Sequence, residues 1–193
     1  MSQMPRSRPL RLVPPRDDDA QAGVRLGAIS FNEAYARHAA YVAGLAGRVL
    51  GRNDEVPDVV QEVFLIAHRR LSGIRDPRSV RAWLAKVTIR EASRRLRWRR
   101  VRTFLNPVHA TDPDLVADES TGVELRPLVA LLYVTLDRIP ARERVAWVLR
   151  HLLQEPLDNV AELCDCSIAT AKRRIAAAER LLRPILGPSG ADE

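Results

Sequence analysis

Apolar residues recur at helical spacing along most of the chain. In FNEAYARHAAYVAGLAGRVLG, Phe31, Tyr35, Val42, Leu45 and Val49 fall three, four or seven positions apart, which makes one stripe of an amphipathic helix, and Gly51 is placed to end it. The next run, PDVVQEVFLIAHRRLSG, has Pro57 suited to a first turn and Gly73 to a C-cap. Its core stripe is Val60, Val63, Phe64, Ala67 and Leu71, which leaves Asp58, Gln61, Glu62, Leu65 and Arg69 on the opposite face. A leucine beside two acids on an outer face is either a single exposed side chain of the ordinary kind or the centre of a docking face for another protein.

A third helix is predicted from Asp76 and Pro77, an N-cap and first-turn pair, through RSVRAWLAKVTIREASRRLRWRRVR. Val80, Trp83, Leu84 and Val87 point inward in this reading, while Lys86, Arg90, Arg94 and Arg97 step by four, four and three along an adjacent stripe. Trp83 and Trp98 are either core residues or platforms for stacked bases. Farther on, LVALLYVTLDRI and RERVAWVLRHLL are two amphipathic helices separated by Pro140, with Val145, Val148, Leu149 and Leu152 on one face of the second. LDNVAELC, the turn DCS and IATAKRRIAAAERLL then give two helices with a tight connection. That spacing fits a helix-turn-helix whose second helix enters the major groove by its N-terminal end, or a plain helical hairpin in a bundle. In the first case Ser167 caps the helix, and Thr170, Lys172, Arg173 and Arg174 are placed to reach bases and phosphates.

The pattern therefore predicts an all-α chain of two small helical domains, at 30–104 and 128–186. Between them the acidic segment 105–127, rich in Pro, Asp, Ser and Thr, reads as a flexible linker. Residues 1–29, rich in Pro and Arg, and residues 187–193 read as tails. With 193 residues, 46% of them apolar, the chain can build cores of this size.

Charge sharpens the picture. The net charge is +7, which favours a polyanionic partner. The excess concentrates in residues 75–102, where 11 basic residues face only Asp76 and Glu91. Within it, SRRLRWRRVR places six arginines in ten positions without an acid. Like charges at helical spacing repel, so such a run costs stability unless something neutralises it. A membrane is the weaker candidate, because the longest nearly apolar run, PLVALLYVTL, is half the length of a bilayer span. The N-terminus lacks the apolar stretch of a secretory signal, which points to the cytoplasm.

Other chemistries find little to work with. His38, His68, His109 and His151 are scattered, with no paired carboxylates or nucleophile and base beside them. No catalysis, metal or cofactor is expected. Cys164 and Cys166 stand too close for an ordinary disulfide. A redox or zinc sensor built from them with His151 is the alternative to two reduced thiols.

The order of segments, FNEAYARHAAYV, DEVPDVVQEVFLIAHRRL, RAWLAKVTIREASRRLR, an acidic linker, and LDRIPARERVAWVLRHLLQEPLDNVAELCDCSIATAKRRI, resembles the extracytoplasmic-function (ECF) group of bacterial sigma factors over about residues 30–186. The most specific match is DVVQEVF followed about twenty residues later by AWL. The resemblance implies a first domain that binds core RNA polymerase and melts the −10 promoter element, and a second that reads the −35 element. It places Asp58, Gln61, Glu62 and Leu65 against the clamp coiled coil of the largest polymerase subunit. It puts the −10 contacts around the loop IRDPRS and the helix after it: Arg75, Arg78, Lys86, Arg90, Arg94 and Arg97. The −35 contacts fall on Ser167, Thr170, Lys172, Arg173 and Arg174. An anti-sigma factor is a further partner that the resemblance suggests. Arg90 and Arg94 stand where the family commonly has Asn and Asp, and Asn159-Val160-Ala161 and Ala169-Thr170-Ala171 replace Glu-Ile-Ala and Gly-Thr-Val. The two arginines add grip on phosphate without adding base readout, while the changes in the second domain keep the fold and leave the family's −35 preference not carried over. The competing expectation is an autonomous helix-turn-helix regulator, which would dimerise to match paired half-sites.

Overall fold

The computed structural model describes residues 29–74, 76, 78–105 and 125–186. The regular elements among them are all helical: α1 (Phe31–Leu50), α2 (Val56–Arg70) with a 3-10 turn at Leu71–Gly73, α3 (Ser79–Leu105), α4 (Arg126–Leu136), α5 (Ala141–Trp147), which continues as a π turn over Val148–Leu152, α6 (Leu157–Leu163) and α7 (Ile168–Leu186). Most of the 105–127 segment, the N-terminal tail and residues 187–193 lie outside the described residues.

The helix starts and stops follow local chemistry. Ser30 Oγ accepts the Glu33 N–H at 3.2 Å and begins α1. Gly51 ends it in the left-handed region (φ +65°), its N–H donating to Gly47 O at 2.7 Å. The Asp76 carboxylate accepts the Arg78 N–H at 2.9 Å just before α3. Asp165 takes the left-handed conformation in the turn between α6 and α7 (φ +50°), which a short polar side chain tolerates.

Helices α1, α2 and α3 bury Val42, Leu45, Val49, Val59, Val63, Phe64, Val80 and Leu84 against one another. The inner face of α2 is rotated from the expected one: Val59 is buried and Val60 only half-buried. On α1, Tyr35 turns outward to stack edge-on with Phe64 at 4.7 Å. The phenol and the Phe31 ring cover the end of the core while keeping one edge wet. In the second half, α5 and α7 pack through Val145, Val148, Leu149, Ile175 and Leu182, with Leu152 left at the surface.

The two halves meet. Helix α3 lies against α5 and α6, and α1 against the π turn. At this joint Arg144 is 1% exposed, the largest fully buried side chain in the described structure. Its Nε donates to Val49 O at 3.0 Å, its Nη2 to Leu50 O at 2.7 Å and its Nη1 to Asp137. Burial works against the Arg144 charge and pulls its pKa down, with the Asp137 carboxylate opposing that shift.

Candidate nucleic-acid interface

The outer face of α2 is arranged as the residue spacing predicts. Asp58, Gln61 and Leu65 are exposed, Leu65 to 43%, and Glu62 is half-buried at the edge of the same surface. Asp58 is not idle, because Arg95 of α3 donates to it at 3.0 Å. Arg69, expected on this face, lines the cleft described next.

That cleft, about 850 Å³ in volume, lies between α2 and α3 on one side and α5, α6 and α7 on the other. Lys86, Arg90 and Arg97 enter it from α3 and Arg174 from α7. Arg69, Arg70 and Arg142 join them, a contribution the spacing could not disclose because they come from α2 and α5. Ile66, Trp83, Val87 and Leu163 supply apolar wall, and Glu91 and Asp165 are the acids. Arg94, the remaining member of the expected stripe, pairs with Glu91 at 2.7 Å, and Lys86 reaches Glu162 of α6 at 4.0 Å. Arg78 is exposed before α3, and Arg75 lies outside the described residues.

The arginine run 94–102 is thus neutralised in part by the chain itself. Arg94 pairs with Glu91 and Arg95 with Asp58, while Arg99, its side chain 10% exposed, binds Glu55 at 2.8 Å and Asp137 at 2.9 Å. Arg97, Arg100 and Arg102 form no ion pair among the described residues. Trp98 is 65% exposed, so it is a surface side chain and not part of the core.

At the start of α7, Ser167 Oγ accepts the Thr170 N–H at 3.2 Å and bonds the Thr170 hydroxyl at 3.0 Å, the expected cap. Lys172 and Arg173 are exposed one turn on, and Thr170 and Arg174 are half-buried. His151 pairs with Glu179 at 2.9 Å and stacks on Trp147. Among the described residues no three His, Cys, Asp or Glu side chains converge as a metal site. Cys164 and Cys166 are free thiols, and burial pushes Cys164 up to about 11. No helix among the described residues is long and apolar enough to cross a membrane.

Known proteins share this arrangement. Residues 34–102 match the family described as Sigma-70 region 2. The ECF RNA polymerase sigma-E factor of Haemophilus influenzae is 29% identical over 171 residues, covering 82% of this chain and 88% of the relative. Its Escherichia coli K12 namesake is also 29% identical, over 76% of this chain and 81% of the relative. The chain carries a Sigma-70 region 2 domain and is similar over most of its length to ECF sigma factors. The fold agrees with two solved structures. The Bartonella quintana sigma factor RpoE, solved in complex with the anti-sigma factor NepR, superposes with a TM-score of 0.62 at 19% identity, covering 82% of this chain and 98% of that one. CnrH, solved with the cytosolic domain of CnrY, gives 0.55 at 22% identity, over 81% of this chain and 86% of that one. Measured against the ECF pattern, the sigma region 2 match spans α1 to α3 and includes the α2 face and the α3 cations.

Proposed function

We propose that this ECF sigma factor docks on core RNA polymerase through the α2 face of Asp58, Gln61, Glu62 and Leu65, and directs promoter-specific initiation by gripping DNA through α3 and α7. The observation that carries the reading is the set of unpaired cations on α3, led by Arg90 and Arg97, inside a sigma region 2 domain that is followed by a capped helix-turn-helix. The division of labour follows from the chemistry of each surface. Lys86, Arg90, Arg94 and Arg97, with Arg75 and Arg78 ahead of them, hold the −10 strand by its phosphates. Ser167, Thr170, Lys172, Arg173 and Arg174 meet the −35 element in the major groove.

Trp98, exposed among the arginines, presents a flat face on which an unpaired base can stack, a contact worth about 1–3 kcal/mol. That is comparable to the roughly 1.4 kcal/mol lost per opened base-pair step, so a few such contacts offset local melting. The protein acts by differential binding and makes no bond. An anti-sigma factor that covers α2 or the cleft is the partner class that the solved relatives with NepR and CnrY suggest for it.

The test is reconstituted transcription: the purified chain is added to core polymerase on a supercoiled promoter library. New, sequence-specific start sites are expected, and identical transcripts with and without the chain would overturn the reading. Leu65→Asp is expected to abolish co-purification with core polymerase while leaving the helical signal intact.

A further inference from the structure

Positive charge gathers in the cleft faster than the chain neutralises it. Seven cations from α2, α3, α5 and α7 line it, against two acids, Glu91 and Asp165. Glu91 is already engaged by Arg94 at 2.7 Å, and Lys86 has only the distant Glu162 at 4.0 Å. Arg69, Arg70, Arg90, Arg97 and Arg142 form no ion pair among the described residues. Cations that converge from four helices on one volume repel one another, and walls of low dielectric focus their field on whatever anion enters.

Size and lining choose the occupant. A volume of about 850 Å³ falls within the roughly 300–1,000 Å³ of small-molecule sites. It equals a cube about 9.5 Å on an edge, narrower than the roughly 12 Å major groove of a duplex, so a duplex does not fit between these walls. A single strand spreads one charge per roughly 3.4 Å along a line, a poor match for cations gathered around one space. Linked phosphates concentrate several charges in a short chain, and each planar guanidinium can grip two phosphate oxygens. The wall also has an apolar side: Trp83, half-buried, lies there with Ile66, Val87 and Leu163. An indole is a surface on which an aromatic base stacks. A bare phosphate chain has nothing to place against it; a nucleotide does.

The geometry points to a binding site for a free nucleotide with several linked phosphates, its phosphates held among Arg69, Arg70, Arg90, Arg97 and Arg142 and its base against Trp83. Lys86, Arg90 and Arg97 are also the cations assigned above to the −10 strand, so the nucleotide and the promoter strand compete for them. That competition rests on the sigma-factor reading, whereas the site rests on the cleft alone.

The experiment titrates the full-length chain calorimetrically with ATP, GTP, AMP and sodium tripolyphosphate in magnesium-free buffer. Tripolyphosphate carries at least the charge of ATP without the base, so a purely electrostatic patch would bind it as tightly. ATP or GTP is expected to bind at least tenfold tighter than either AMP or tripolyphosphate. Arg70→Ala and Arg142→Ala are each expected to weaken triphosphate binding about tenfold, the scale of one hydrogen bond to a charged group. Trp83→Leu is expected to weaken it about tenfold while leaving tripolyphosphate unaffected. If Trp83→Leu loses helical signal in circular dichroism, the wild-type preference for a triphosphate over tripolyphosphate decides. Equal affinity for nucleotide and tripolyphosphate, or no binding of either, overturns the site. In a second arm, ATP or GTP is expected to displace a labelled single-stranded oligodeoxynucleotide, and binding without displacement overturns the competition. Failure of the chain to direct transcription with core polymerase would overturn the sigma-factor reading and leave the nucleotide titrations standing.

Discussion

Gly51 shows how much one residue can carry. Its φ of +65° costs any L side chain about 1–2 kcal/mol, and a Cβ would also collide with the Tyr133 ring, an overpacking penalty of roughly 1–3 kcal/mol. Gly51→Ala is therefore expected to lower stability by about 2–4 kcal/mol in urea denaturation. Combining it with Tyr133→Ala should return the collision part and leave the backbone part, so strict additivity of the two changes would show that the ring is not the obstacle. The sequence suggests a helix-ending glycine at 51; the ring above it comes from 82 positions away and leaves no local signal. Cys164 makes a second residue-scale case. Burial, then the neighbouring Cys166, raises its thiol from 9.0 to about 11, with Arg174 opposing. At pH 8 its thiolate is about a hundredfold rarer in the folded than in the unfolded chain, so alkylation should be slow until the protein unfolds. The folded pKa is the higher one, so the associated stability is full below pH 9 and fades as pH rises through about 11. A folded-state alkylation midpoint near 9 would contradict the buried placement.

At the scale of elements, several helices were readable because they carry local punctuation: Pro57, Asp76 and Ser167 at starts, Gly51 at a stop. Which cations serve DNA was less readable. Arg97 and Arg99 are two apart on α3 in an unbroken basic run, yet Arg97 opens into the cleft while Arg99 is spent on Glu55, Asp137 and Leu50 O. Helical spacing does place them on different faces, but the acids that claim Arg99 lie 44 and 38 residues away. The same distance hid Arg69, Arg70 and Arg142, which reach the cleft from α2 and α5. The two arginines should therefore respond in opposite ways. Arg97→Ala is expected to lower the salt dependence of DNA binding by about 0.7–0.9 in slope with little change in stability. Arg99→Ala is expected to leave the slope nearly unchanged and to cost about 3 kcal/mol, because Glu55 and Asp137 lose a largely buried partner. Equal slopes lost in both variants would mean that Arg99 also faces the nucleic acid.

For the whole molecule, the question is whether two helical units behave as two. Local pattern and an acidic connecting segment argue for separate domains, because neither reveals long-range pairing. The joint argues for coupling: α1 ends on carbonyls that Arg144 and Tyr133 satisfy, and opening it in the unbound chain leaves Arg144 without Val49 O and Leu50 O and parts Asp137 from Arg99. Each hydrogen bond to a charged group contributes about 1.5–3 kcal/mol net, so the several at this joint outweigh the modest entropy gained by freeing a tether of this length, which grows only logarithmically. Scanning calorimetry of the wild-type chain is accordingly expected to give one transition, with calorimetric and van't Hoff enthalpies equal. In Asp137→Asn the bridge between Arg99 and Arg144 is gone, and the trace should separate into two smaller transitions, each with an enthalpy in proportion to its share of the residues. Two transitions already present in the wild type would show that the halves unfold independently, and that the contacts around Arg144 are too weak to join them.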